Sequence, residues 1–238
     1  VNLAVDYGNS SAKVAIFDQS ELTEKHTFAH PDDLKSFLET SPAENFIISS
    51  VTTEAEAVSQ WSNAKNKFVL SHQLPLPVNI LYATPKTLGV DRIAGSCGAV
   101  KLFPDRNTLV IDAGTCITYD FTDSSKQYYG GSISPGLKMR FQAVHTFTAR
   151  LPLVNPAENP DLIGSSTETS IQSGIVNGTL AEIDGIIGRY RQKYPDLQVI
   201  LCGGDGPFFE NKLKASIFAS PDLVLIGLNS VLIHNVRL

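Results

Sequence analysis

The chain has 238 residues, 42% hydrophobic and 18% charged, with a formal net charge of −5. That length buries one large core or two modest ones. The acidic balance, with no basic run, leaves no general attraction to nucleic acid or to an anionic membrane. No stretch approaches the roughly 20 apolar residues of a membrane-spanning helix. The N-terminus has no basic region ahead of an apolar core, so no secretory signal is expected. The first strand begins almost at Val1, so little functional sequence is expected ahead of it. Cys97, Cys116 and Cys202 are odd in number and far apart, which fits neither a disulfide framework nor a metal knuckle. They are expected to be small buried hydrophobes in a reducing cytoplasm.

In chain order, residues 2–17 predict two strands around a tight turn, "LAV" entering it and "AKVAIF" leaving it. "HPDDLKSFLET" predicts a short helix with proline near its start. "NFIISSV" and "KFVLS" predict strands, with an amphipathic helix, "EAEAVSQWSNA", between them. This βββαβαβ order implies a mixed sheet flanked by helices. After a proline-rich loop, "LGVDRIAGSCGAVKLF" predicts a helix whose Ala94, Gly95, Cys97, Gly98 and Ala99 let another backbone come close. "NTLVIDAGTCITYDF" predicts a strand, an Asp turn and a strand; "YYGGSISPGL" reads as a Gly-rich turn region, with a helix after it. Residues 151–165 read as a loop. "STETSIQSGIVNGTLAEIDGIIGRYRQKY" predicts a long helix with Ser165 and Glu168 at capping-box spacing and Ile171, Ile175, Ile183, Ile186 and Tyr190 as its buried stripe. "LQVILCGGDG" predicts a strand ending in a glycine turn, and "DLVLIGLNSVLIHNV" a segment that begins extended and ends helical.

The strand–Asp-x-Gly-polar–strand unit occurs twice. Leu3, Asp6, Gly8 and Asn9 align with Leu109, Asp112, Gly114 and Thr115. The spacing is close to half the chain and suggests two related halves facing each other. Asp and Gly are also ordinary hairpin residues, so one copy alone fits a plain turn equally well. In the paired reading, glycine lets the backbone approach an anion and successive N–H groups cradle phosphate oxygens. Asn9, Ser10, Ser11 and Thr115 add donors. Lys13 either supplies a positive charge or faces solvent. The acids can serve phosphate only through a cation or its water shell. "ILCGGDG" gives either room for a flat ligand or a tight strand-to-helix turn. In "TPKTLGVDRIAG", Asp91 is either a helix-end carboxylate or a general base, and Arg92 either an ion-pair partner or a clamp for an anion.

Seven motifs in order, "DYGNSSAK", "LGVDR", "DAGTCITYD", "GGSISPG", "LP", "TETSIQSG" and "CGGDG", make the chain similar to type III pantothenate kinases over nearly its whole length. The resemblance implies an α/β fold of two duplicated, ribonuclease-H-like domains with mixed sheets, of the actin-like ATPase type, over residues 1–107 and 108–238. It implies a homodimer whose active sites lie near the subunit interface; the composition already pointed to the cytoplasm and to no nucleic-acid or membrane partner. It implies phosphorylation of pantothenate by ATP, with Mg²⁺ and a monovalent cation, K⁺ or NH₄⁺. By motif, Asp6, Tyr7, Gly8, Asn9, Ser10, Ser11, Ala12 and Lys13 form the first ATP loop and Thr115 contacts ATP. Asp112 holds the monovalent cation. Gly89, Val90, Asp91 and Arg92 bind pantothenate together with Tyr82 and Thr167, and Asp91 is the proton acceptor. Ser10 and Cys116 stand where threonine and alanine are common in the family. The rivals are a sugar kinase or phosphatase of the same fold, and a nucleotide-binding regulatory protein without kinase turnover. The latter role is reflected in the family's older name, Bvg accessory factor.

Overall fold

The computed structural model describes residues 1–8, 11–50 and 55–237. Its residues fall into two units, one of residues 1–106, 122–130 and 222–238, the other of residues 107–121 and 131–221.

The first unit opens with β1 (Asn2–Tyr7), β2 (Ala12–Asp18) and β3 (Glu21–Phe28), followed by α1 (Pro31–Thr40), β4 (Asn45–Ser50), α2 (Ala55–Ser59) and β5 (Asn66–Val69). The order βββαβαβ is as expected, although the third strand, β3, lay in none of the stretches that predicted a strand. The sheet runs β3-β2-β1-β4-β5, antiparallel from β3 to β1 and parallel from β1 to β5. Successive side chains of a strand face opposite sides, and here both sides are covered. Leu3 and Val5 of β1 join Phe46 and Ile48 of β4 in a core with Leu34 and Leu38 of α1. Ala4, Ala15 and Ile47 face the other way, toward α3 (Val90–Leu102) and α7 (Leu223–Val236). A row of asparagines crosses the parallel strands at one register: Asn66 donates to Asn45, Asn45 to Asn2 and Asn2 to Asn229 of α7, each at 2.8 Å. This satisfies polar groups at a buried strand end that would otherwise cost stability.

The small residues of α3 act as their sequence suggests. A Cβ at Gly98 would strike the Leu223 carbonyl, and one at Gly227 would strike the Ala94 carbonyl, so glycine permits the close crossing of α3 with α7. The C-terminal segment departs from expectation. Residues 223–236 are helical throughout, with no extended start. Leu223, Leu225, Leu228, Val231 and Leu232 are all buried, and a helix apolar on most sides lacks the periodicity that announces a helix.

The short β6 (Asn79–Ile80) pairs in parallel with the first residues of β9 (Gln127–Pro135). That strand corrects the expectation of a Gly-rich turn region at 128–137. Its glycines mark a close approach of backbones inside the sheet, since a Cβ at Gly131 would strike the Tyr119 carbonyl.

The second unit contains β7 (Thr108–Ala113), β8 (Cys116–Thr122, its last residue in the first unit), the rest of β9, α4 (Leu137–Thr146), α5 (Thr167–Lys193), β10 (Gln198–Cys202), α6 (Gly206–Glu210) and β11 (Phe218–Ala219). Its strand order, β9-β8-β7-β10-β11, repeats β3-β2-β1-β4-β5 of the first sheet, and β7 pairs in parallel with β10 as β1 does with β4. The core joins Leu109 and Ile111 of β7, Val199 and Leu201 of β10, and Ile175, Val176, Ile183 and Ile187 of α5. Of the predicted stripe, Ile175 and Ile183 are buried, while Ile171, Ile186 and Tyr190 pack half-buried on the same core. The cap lies one residue later than expected. Ser166 accepts from the Thr169 amide, and the Thr169 hydroxyl, rather than Glu168, accepts from the Ser166 amide.

Candidate active site

Asp6 lies next to last in β1, paired across the sheet with Lys13 of β2 and with Ser49 of β4. The turn beyond it is closed by the Gly8 amide, which donates to the Ser11 carbonyl at 3.1 Å. Asn9 and Ser10 lie outside the described residues. Ala12 is buried and Tyr7 packs half-buried on the core beside α1. A small cavity of about 120 Å³ is lined by Tyr7, Gly8, Ser11, Ala12 and the start of α1.

The Asp6 carboxyl is pushed up from its ordinary value, first by burial and then by the negative charge of Asp91. The Ser49 hydroxyl, 3.1 Å from its Oδ1, and the Lys13 ammonium act against this. Asp91 therefore lies within electrostatic reach of Asp6. It stands in the first turn of α3 and its own Oδ1 accepts from the Arg92 amide at 2.9 Å. Gly89 occupies the N-cap and supplies no side-chain cap. Arg92 is buried, with its guanidinium 5.9 Å from the centroid of the Tyr82 ring. That ring lies over Gly130 and 6.4 Å from the Tyr128 ring. The first unit thus brings together Tyr82 and Arg92, and separately Asp91 and Asp6, on adjoining residues of one helix start.

In the second unit Asp112 lies next to last in β7, as Asp6 does in β1, and Thr115 is exposed in the following turn, closed by the Gly114 amide donating to the Cys116 carbonyl at 2.9 Å. Gly203 of "CGGDG" has φ +90, and a Cβ there would collide with the Ala113 carbonyl and Asp112 Oδ1. Only glycine fits that backbone, which packs directly against those two oxygens. Carboxylate and carbonyl oxygens are the donor type that a hard cation takes. Among the described residues no three His, Cys, Asp or Glu side chains cluster as a metal site. Asp205, in the same loop, is pushed up by burial, and its amide donates to the Ala113 carbonyl at 2.8 Å. Thr167 is the exposed first residue of α5. Cys97 and Cys202 are buried and Cys116 is half-buried, all as free thiols. Burial pushes the Cys97 thiol up, which keeps it unreactive.

A family model of type III pantothenate kinases matches residues 2–189. The chain belongs to the type III pantothenate kinase family. A type III pantothenate kinase of Phocaeicola vulgatus is 44% identical over 242 residues, covering 100% of each chain. Among solved structures, a Campylobacter jejuni protein described as a Baf family transcriptional activator has a TM-score of 0.67 at 23% identity, covering 99% of this chain and 100% of its own. A glucokinase from an Antarctic psychrotroph has a TM-score of 0.55 at 12% identity, covering 98% of each. At those identities the two structures speak for the fold alone, which is the actin-like ATPase fold. Membership in this kinase family disfavours the purely regulatory alternative.

Two features of this pantothenate kinase family member escaped sequence reasoning. Ser49 bonds Asp6, and nothing in "NFIISSV" distinguishes it from a strand residue. Glu182, on a predicted helix face, gathers three partners distant in sequence. In retrospect its position beside the Ile183 stripe was the only signal. No helix among the described residues is long and apolar enough to cross a membrane.

Proposed function

We propose that this chain transfers the γ-phosphoryl group of ATP to the primary hydroxyl of pantothenate, giving ADP and 4′-phosphopantothenate, as a cytoplasmic homodimer. The observation that carries the reading is the placement of Asp91 at the start of α3, within electrostatic reach of Asp6 in the phosphate turn and adjoining Arg92. A base, an anion clamp and a phosphate turn are the parts that phosphoryl transfer needs.

In this reading Asp91 takes the hydroxyl proton as the oxygen–phosphorus bond forms and the bond to the ADP oxygen breaks. Arg92, held beside the Tyr82 ring, pairs with the pantothenate carboxylate; an arginine grips such a group through two donors. Gly89 and Val90 offer backbone to the same substrate, and Thr167 adds a hydroxyl. The backbone from Asp6 to Lys13 cradles ATP phosphates, with Lys13 adding a positive charge, and Thr115 contacts the nucleotide. Asp112 would hold K⁺ or NH₄⁺. Asp6 would serve Mg²⁺ through water, in keeping with a metal that relies on one or two carboxylates and the substrate phosphates. Bound cations supply charge that offsets the developing negative charge on the phosphoryl oxygens. The repeated strand order supports duplicated halves, the first of which also takes in residues 122–130 and 222–238.

A substrate panel tests the proposal. ADP release from ATP is expected with pantothenate and not with hexoses. Release with a hexose and none with pantothenate would assign the chain to the sugar-kinase rival.

A further inference from the structure

The Gly114–Thr115 turn does not stand alone. The Gly136 amide donates to the Thr115 carbonyl at 3.1 Å, and a Cβ at Gly136 would collide with both the Gly114 and Thr115 carbonyls. The turn therefore rests directly on the backbone of residues 134–136. That segment is gripped from its other side. Glu182 of α5 accepts from the Ser134 hydroxyl at 2.6 Å and from the Tyr119 hydroxyl at 3.1 Å on one oxygen, and from Arg140 Nη2 at 2.6 Å on the other. Arg140 in turn donates from Nε to the Pro135 carbonyl at 2.7 Å. The arginine and glutamate are mostly shielded, with side-chain exposures of 21% and 27%. Burial alone would raise the Glu182 carboxyl, yet the bonds from Ser134, Arg140 and Tyr119 hold it below its ordinary value.

We infer that Glu182 is a positioning residue for the β7–β8 turn, fixing through Arg140 and Ser134 the 134–136 backbone against which Thr115 sits. Each link is a hydrogen bond to a charged group or a backbone contact with no slack, so loosening Glu182 loosens the turn. A carboxylate is needed because three donors converge on it; a neutral amide satisfies fewer of them and leaves Arg140 without its counter-charge. The inference rests on the proposed contact of Thr115 with ATP for its kinetic consequence, and on nothing but the fold for its structural one.

The test uses full-length Glu182→Gln, with Thr115→Ala as reference. Amide hydrogen exchange at Gly136 and Gly114 is expected to quicken in Glu182→Gln. KM for ATP is expected to rise about tenfold, the worth of one charge-assisted hydrogen bond, while KM for pantothenate stays put. In the Thr115→Ala background the added effect of Glu182→Gln on KM for ATP should shrink, because both act through one turn. Unchanged exchange at Gly136 overturns the inference. So does quickened exchange with unchanged KM for ATP where Thr115→Ala alone raises it. If Thr115→Ala also leaves KM for ATP unchanged, the nucleotide role of Thr115 fails, and exchange at Gly136 alone then supports or overturns the positioning role. Should Glu182→Gln fail to fold, Arg140→Lys keeps a cation beside Glu182 but loses the planar fork that reaches Pro135, and gives the same readouts.

Discussion

Replacing Asp91 by Asn separates the chemical role of this carboxylate from its structural one. The amide oxygen of Asn can still accept from the Arg92 amide, now bonded to Asp91 at 2.9 Å, so the start of α3 keeps its shape. Stability loses only the favourable charge at a helix N-terminus, about 0.3–1 kcal/mol. Relief of the repulsion with Asp6 offsets part of that. For a chain of this size the shift in Tm stays below about 4 °C. Turnover loses the base, worth about 10²–10⁴-fold, or about 2.7–5.4 kcal/mol on the barrier. The two effects differ enough to be told apart in one preparation. Coupled detection of ADP release gives turnover, calorimetric titration gives ATP affinity, and a thermal scan gives Tm. The expected pattern is turnover down at least a hundredfold, with ATP affinity and Tm nearly kept. Turnover within a few-fold of the parent would refute Asp91 as the base.

Asp112→Asn should weaken activation by K⁺ or NH₄⁺ relative to Na⁺; an unaltered response in a monovalent-cation titration removes the cation from that site. Gly227→Val should force a side chain into the Ala94 carbonyl and destabilise by about 1–3 kcal/mol, read as a drop of about 2–12 °C in Tm. A neutral effect would mean that α3 and α7 do not cross so closely. Asn45→Leu leaves the Asn2 oxygen and the Asn66 amide without their partner, at a cost of about 1–3 kcal/mol in urea unfolding. Glu182 has a depressed folded-state pKa, so its stabilisation is present above the ordinary value of 4.5 and is lost as pH falls through the lower folded value. The stability gap between parent and Glu182→Gln should therefore narrow in acid, and a gap that widens there contradicts the assignment.

Much of the first unit was legible because its signals are local. The nearly unbroken apolar runs "LAV" and "AKVAIF" follow from a sheet covered on both faces, and the small residues of α3 anticipated a close helix crossing. The repeat of "VDYG" in "IDAG" anticipated the matched strand orders. Elsewhere local signals misled for physical reasons. "YYGGSISPG" carries glycines because β8 and Tyr82 press against its backbone, not because the chain turns there. "LVLIGL" reads as a strand because its helix is buried on most sides and shows no 3.6-residue pattern. The α5 cap moved to Ser166 because the Thr169 hydroxyl can answer it as a glutamate would. The grip on Glu182 was invisible because its partners lie 42 to 63 residues away in sequence.

In the proposed reaction phosphate moves from ATP to pantothenate. Mass spectrometry and ³¹P NMR of pantothenate incubated with ATP, Mg²⁺, K⁺ and the purified chain test it most directly. Pantothenate phosphorylated on its primary hydroxyl is expected in an amount equal to the ADP formed. ADP appearing while pantothenate stays unmodified would contradict it.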